Sequence, residues 1–293
     1  MEILMTSQGR SVTTTDVEFI QRLLNDHPSW NRTRLSEELC HIWHWYTANG
    51  KHKDMACRSL LLKLHRRGHI QLPLPQRPAN NDYRHWKFPD LSYARDSIEG
   101  SLSTLIPLNI VQVFAAPSKQ QLIKCLLHHH HYLGYRGIPG ESIGYLVYDR
   151  HHRVIACLTF GAAAWKTAPR DNFIAWDPAT RVQNLSYLAN NLRFLILPWV
   201  QVPNLASHIL SLVVQRINND WMTHYKHPLY LVETFVDISK FDGASYRAAN
   251  WIRIGQTKGR TRQDRHRTLK VPIKDIYLYP LHKFFKEKLN QEV

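Results

Sequence analysis

The sequence predicts an α+β chain, with a small helical module first and a mixed α/β domain after it. Three observations carry that reading. Apolar residues recur at helical spacing through the first seventy positions. A proline-rich stretch, PLPQRPANND, then breaks regular structure. Beyond it, short β-branched runs alternate with helical patterns. The expected division is residues 1–75, a linker over 76–104, and 105–293.

In the first part, Thr13 to Thr15 and Asp16 are N-cap candidates for a helix whose apolar face is Val17, Phe19, Ile20, Leu23 and Leu24. A second helix is expected over Thr33 to Tyr46, with Leu35, Leu39, Ile42 and Trp43 inward. A third runs from Asp54 to Arg67 and stops at Gly68, a left-handed C-cap candidate. His69 to Pro73 reads as a short strand. Three helices and a strand are similar to a winged-helix or helix-turn-helix module. The third helix then offers Arg58, Lys63, Arg66 and Arg67 to nucleic-acid phosphates, or simply a solvated basic face.

The second part reads, in order, as follows. A strand over Ile110 to Phe114 and a helix over Ser118 to His131 come first. Paired strands follow at Gly144 to Tyr148 and Arg153 to Phe160, then an irregular aromatic segment, AAAWKTAPRDNFIAWDP. Next come a buried strand from Arg193 to Val200, a long helix from Asn204 to Tyr225 and a buried strand from Leu229 to Val236. A short helix at Ser245 to Asn250, strands at Trp251 to Gln256 and Val271 to Tyr279, and a terminal amphipathic helix complete the chain. That order resembles the acetyltransferase-like layout of the GCN5-related superfamily. Gln201-Val-Pro-Asn204-Leu-Ala206 is similar to the superfamily's pyrophosphate loop, and Tyr246-Arg-Ala-Ala-Asn250-Trp251 to its tyrosine turn. The resemblance implies Tyr246 as a general acid. Asn204 and Pro203 stand where close phosphate approach favours glycine and free N–H groups, so acetyl-CoA is not expected.

Lys and Arg outnumber Asp and Glu by 38 to 23, a net charge of +15. Such a balance favours polyanionic partners. The densest run is GQTKGRTRQDRHRTLK, where Lys258, Arg260, Arg262, Arg265, Arg267 and Lys270 lie among glycines between two strands. A projecting loop of guanidinium groups suits phosphate contact. Nucleic acid is the expected partner, DNA ahead of RNA.

Asp171, Glu233 and Asp237 stand at ends of expected elements and could converge on Mg²⁺ for phosphodiester chemistry. The ordinary alternative pairs one of them with Arg193 or Arg247. His128 and His131 share a helix face, but a half-buried helix end is the expectation there. Tyr246 and Trp251 are the aromatic candidates to stack on a base. Cys40, Cys57, Cys125 and Cys157 lack metal or disulfide spacing and are expected as buried thiols. No signal-peptide pattern or membrane-length apolar run is seen, and a cytoplasmic protein without membrane contact is expected.

Longer runs carry a more specific likeness. HHYLGYRGIPGESIGYLVYD, AAAWKTAPRDNFIAW, NLRFLILPWVQVPNLASHIL, DWMTHYKHPLYLVETFVD and FDGASYRAANWIRIGQTKGRTRQDR resemble the DruA family of Druantia anti-phage defence systems, as does LCHIWHWYTANGKHKDMACRSLLLKLHRRGHIQLP. The resemblance implies a bacterial defence role, beside a helicase-type partner or, for some members, near mobile elements as a transposon-associated accessory protein. It supplies no reaction. The readings it leaves are a nucleic-acid-binding defence component, a metal-dependent nuclease or strand-transfer enzyme, an acyltransferase, and a scaffold for the helicase.

Overall fold

The structure is a computed structural model that describes residues 3–7, 10–47, 50–75, 91–114, 116–259 and 271–291. No helix among them is long and apolar enough to cross a membrane. The chain divides into two units, Met1–Asn81 and Asp82–Val293.

The first unit opens on a hairpin that the sequence reading did not foresee, β1 (Ile3–Ser7) against β2 (Arg10–Thr13). Helix α1 (Thr14–Asp26) starts on a capping box, Thr13 and Asp16 each bonding the other's backbone N–H. Asp16 also takes Arg10 Nη2 at 3.1 Å, which ties the hairpin to the helix. Helix α2 (Arg32–Ile42) is capped by Asn31. It ends four residues short of the expected Tyr46, because His44 turns left-handed at φ 48° and Tyr46 bridges to His52. Helix α3 (Asp54–Arg66) ends in a Schellman turn: His69 N–H bonds Leu64 O and Gly68 N–H bonds His65 O, with Gly68 at φ 78°. Ile20, Leu35, Leu39, Cys57, Leu60, Leu61 and Leu64 form the core.

The strand expected at His69 to Pro73 does not form. Ile70 and Leu72 are buried as a strand would bury them. Side chains take its carbonyls instead: Gln21 Nε2 donates to His69 O (2.8 Å) and Arg32 Nε to Pro73 O (2.7 Å). Among the described residues no strand pair follows α3 to make a wing.

The second unit carries β3 (Ile98–Glu99), β4 (Asn109–Gln112), α4 (Pro117–His130), β5 (Ser142–Tyr148), β6 (Val154–Ala162), α5 (Ala168–Ile174), α6 (Pro178–Asn184), β7 (Leu188–Ile196) and β8 (Val200–Gln201). It continues through α7 (Leu205–Tyr225), β9 (Leu231–Asp237), α8 (Ala244–Ala248), β10 (Ile252–Gln256), β11 (Lys274–Pro280) and α9 (Phe285–Asn290). Seven strands form one mixed sheet in the order β10-β11-β9-β7-β6-β5-β4. Every neighbouring pair is antiparallel except β7 and β9. The mixed α/β domain expected from the alternating pattern is therefore present.

Three local expectations change. The aromatic segment after β6 is not irregular: it folds into α5 and α6, each started by a proline in its first turn, where the missing N–H costs no helix bond. Strand β7 begins at Leu188 rather than Arg193, because Asn190 and Asn191 interrupt the apolar run without interrupting the strand. Within the expected linker Ile98–Glu99 form a strand: β3 pairs with β8, and Ile98 is in the core. All four cysteines are free and buried, as expected.

Candidate functional site

Strands β7 and β9 lie side by side only from Leu188 opposite Leu231 to Asn190 opposite Glu233. Beyond that point β7 follows β6 and β9 follows β11, so the two part. A bulge helps drive them apart. Thr159 faces Arg193 but Phe160 faces Asn191, leaving Leu192 as the extra residue, and a bulge bends and twists its strand. Leu192 can fold over β6 only because Gly161 is there; a Cβ on Gly161 would sit 2.6 Å from Leu192 Cδ1.

The opening is a cleft of about 770 Å³. Asn191 to Ile196 of β7 and Thr234 to Asp237 of β9 form its walls. His130 to Leu133 after α4 and Phe241 to Tyr246 leading into α8 close its sides. Thr257, Val271, Pro272 and Lys274 also line it.

Of the residues expected to carry chemistry, Tyr246 and Asp237 line this cleft, while Glu233 and Asp171 do not. Tyr246 O–H donates to Asn191 Oδ1 at 2.7 Å. Burial pushes the phenol up to about 12, so it keeps its proton at neutral pH. Asp237 Oδ1 accepts from Ser239 Oγ (2.6 Å) and Ser239 N–H (3.1 Å). The Ser239 hydroxyl and N–H, with Lys274 and Lys240 nearby, hold that carboxyl below the usual range, against the upward pull of burial.

The expected convergence of Asp171, Glu233 and Asp237 on one ion is not what forms. Asp171 and Glu233 do meet, but around Arg170, a residue the sequence reading passed over. Arg170 is fully buried. Its Nη1 donates to Glu233 Oε2 (3.0 Å) and Ala164 O (2.7 Å), and its Nη2 to Asp171 Oδ1 (2.7 Å). Arg181 Nη1 reaches Asp171 Oδ2 at 3.3 Å, and Glu233 Oε1 accepts from Ala164 N–H at 2.6 Å. The result is a dry network of two cations and two carboxylates that anchors α5 to β9. Asp237, four residues along β9, is about 13 Å from Glu233 at 3.3 Å per residue. Among the described residues no group of three or more His, Cys, Asp or Glu side chains could hold a metal ion. Neither Arg193 nor Arg247 pairs with these carboxylates. Arg193 bonds backbone carbonyls, and Arg247 lies near Asp242.

The turn into α7 fits a pyrophosphate poorly. Asn204 is left-handed at φ 64° without a side-chain cap, Pro203 has no N–H, and Leu205 N–H is spent on Val202 O. An acyl-CoA cradle needs those N–H groups free.

The basic positions separate. On α3, Lys63, Arg66 and Arg67 are exposed. Arg58 is half-buried and already engaged, with Nη2 on Asp54 Oδ2 at 2.6 Å and Nε on Ser36 Oγ at 3.3 Å. Lys258 is exposed, whereas Arg260, Arg262, Arg265, Arg267 and Lys270 lie outside the described residues. Trp251, a stacking candidate, is instead core, packed edge-on against Tyr246 at 5.1 Å. The aromatic rings that are exposed at the cleft are Tyr132 and Phe241, which the sequence did not mark.

Among solved structures, the chain is similar to the spermidine/spermine N-acetyltransferase SpeG from Vibrio cholerae in complex with manganese ions. Identity is 11%, the match covers 61% of this chain and 96% of that one, and the TM-score is 0.38. The spermidine N-acetyltransferase from Vibrio cholerae in complex with CoA and spermine matches at 10% identity, over 58% and 92% of the two chains, with a TM-score of 0.36. TM-scores this low do not establish a shared fold. No curated protein matches the chain.

Fold and cleft together define a mixed α/β protein with a groove between two diverging strands of its sheet. The chain belongs to the family described as Druantia protein DruA, whose model matches residues 63–280. Membership makes it a component of Druantia anti-phage defence.

Proposed function

We propose that this chain is the nucleic-acid-binding component of its defence system, gripping DNA or RNA, with DNA the favoured target, through the segment Lys258–Lys270 and the exposed cations of α3. One observation carries the reading. Thr257 precedes the basic segment and Val271 and Pro272 follow it in the chain, and all three line the cleft. Phosphate contacts by Lys and Arg supply most sequence-independent affinity, each adding a log–log salt slope of about −0.9 on duplex DNA.

The parting of β7 and β9 supports reading the second unit as an acetyltransferase-like sheet put to another use. The α7 turn, poor in free N–H groups, favours that reuse over acyl transfer. Helices α1 to α3 support a winged-helix-like role for the first unit, with Lys63, Arg66 and Arg67 toward phosphates. A helicase-type defence protein is the partner the family resemblance implies.

Reversing Arg260, Arg262 and Arg265 together to Glu tests the proposal. Affinity for DNA and RNA at low salt should fall by at least about tenfold, with a shallower salt dependence. Unchanged affinity for both would overturn it.

A further inference from the structure

Arg193 projects from β7, just past the point where β9 departs, and it is half-buried in the cleft wall. Its Nε donates to Gly134 O at 3.1 Å and its Nη1 to Leu192 O at 2.7 Å. These two carbonyls fix the guanidinium plane. They do not neutralise it, and no carboxylate pairs with it among the described residues. Nη2 has no hydrogen-bond partner there and is not sealed from solvent. The other charges of the cleft are answered locally. Asp237 has Ser239 and the nearby Lys274 and Lys240, and Asp242 lies 3.9 Å from Arg247. Burial works against the charge of Arg193, Tyr132 favours it, and a second cation close by, Arg136, opposes it. A half-buried, rigidly held guanidinium with a free donor is set up for an anion from outside the chain.

Beside it stand two aromatic rings that a folding core would have covered. Tyr132 is 43% exposed and Phe241 51% exposed, with ring centroids 5.5 Å apart. A volume of about 770 Å³ is far larger than a bare phosphate and falls within the range of sites for nucleotide-sized ligands.

We propose that the cleft binds a phosphate ester, with Arg193 as its anion anchor and Tyr132 and Phe241 as the stacking faces for an attached base. The ligand is a nucleoside phosphate. It comes either from a strand held by the basic segment or from a free nucleotide. The strand source rests on the nucleic-acid reading above; the free source does not. Binding is non-covalent: Nη2–H donates to a phosphate oxygen while Nε and Nη1 keep their carbonyls.

The experiment uses the full chain and three probes: inorganic phosphate, thymidine 5′-monophosphate and a twenty-nucleotide oligo(dT). Affinities are measured for the unmodified protein, Arg193→Gln and Phe241→Ala. Thymidine monophosphate should bind more tightly than phosphate. Arg193→Gln should weaken it by about tenfold or more, as loss of a charge-assisted bond predicts. Phe241→Ala, at an exposed position that leaves folding intact, should weaken it by about fivefold or more. In the unmodified protein the imidazole resonances of His131, which lines the same cleft, should move on titration.

If oligo(dT) also weakens in Arg193→Gln, the source is a strand. If the mononucleotide depends on Arg193 but no oligonucleotide binds at all, the source is a free nucleotide, and the proposed grip on nucleic acid fails while this site stands. If neither phosphate nor the mononucleotide shifts His131, and oligo(dT) binds Arg193→Gln as it binds the unmodified protein, this site is overturned while the grip by the basic segment survives.

Discussion

Replacing Arg170 by Met tests what the buried network at the apex of the cleft contributes. Met keeps the volume and removes the cation. Arg170 and Glu233 are both at 0% exposure, and Arg170 Nη1 is 3.0 Å from Glu233 Oε2. Removing one partner of such a pair costs about 3–5 kcal/mol. At roughly 2–4 °C per kcal/mol for a unit of this size, the second unit should melt about 6–20 °C lower. The loss should depend on pH. Burial already raises the Glu233 carboxyl, while Arg170 and the Ala164 N–H work to lower it, so the variant raises it further. A carboxyl raised above its unfolded value, near 4.3, lends full stability below that value and loses it as pH rises through the folded value. The deficit at pH 7 should therefore shrink toward pH 5, by up to about 1.4 kcal/mol per unit. Adding Glu233→Gln to Arg170→Met should restore at least about 1 kcal/mol, because the stranded charge is gone. Thermal melts for the midpoint and denaturant melts for the free energy, each at pH 5 and pH 7, measure all of this. A midpoint within about 2 °C of the unmodified protein, or a deficit indifferent to pH, would refute the reasoning. The same melt guards against a false reading of Glu233→Gln alone, since a folding defect would abolish any activity without Glu233 touching a substrate.

Three further outcomes follow from particular contacts. Asp149 caps the β5–β6 turn, accepting from His151 N–H, Arg153 N–H and Arg153 Nε, all at 2.8–2.9 Å. Burial works to raise its carboxyl, but the Arg153 and His151 donors hold it below the usual range. Its stabilisation is thus present above the unfolded value near 3.9 and lost as pH falls through the folded one. Asp149→Ala should cost about 2–3 kcal/mol at pH 7 and flatten the acid limb of the stability curve, as read by melts from pH 2 to pH 7. Tyr246→Phe should cost about 1 kcal/mol for the lost Asn191 bond. Ligand binding by the unmodified protein should show no ionisation from this phenol until about pH 12. Reversing Lys63, Arg66 and Arg67 to Glu should leave the melting midpoint nearly unchanged, since all three are exposed. If these cations hold phosphates, nucleic-acid affinity should fall, and the salt slope should become shallower by up to about 2.7.

Much of the frame was legible because single residues announce it. Thr13 with Asp16 starts α1, Gly68 ends α3, and the β-branched runs of β5, β6 and β9 lie where alternation puts them. Short elements made by tertiary context were not legible. Nothing periodic in RDNFIAWDP says helix; α5 forms because Arg170 has two carboxylates to bury against, one of them sixty-three residues away in β9. The strand expected after α3 failed for the reverse reason, its carbonyls being claimed by Gln21 and Arg32 from other helices. The site divides along the same line. Tyr246 could be found from its turn, but Arg193, Tyr132 and Phe241 could not, since their importance lies in a missing counter-charge and in exposure. Those properties exist only once β7 and β9 have parted.

That parting also explains why the acidic residues that looked most catalytic are the least available. Where β7 and β9 still pair, Glu233 is fully buried; a charge there must be answered inside the protein, and Arg170 answers it, while Arg170 and Arg181 both answer Asp171. Where the strands diverge, the walls gain solvent, and a cation such as Arg193 can stay without a carboxylate. The positive excess of the chain is placed in keeping with this. The thirteen residues from Lys258 to Lys270 hold six Lys and Arg against the single carboxylate of Asp264, out of a net +15 for the whole molecule. The residues that flank that segment in the chain, Thr257, Val271 and Pro272, line the groove. An anion that enters the groove meets in Arg193 a guanidinium that no carboxylate pairs with among the described residues and whose Nη2 still has a donor to give.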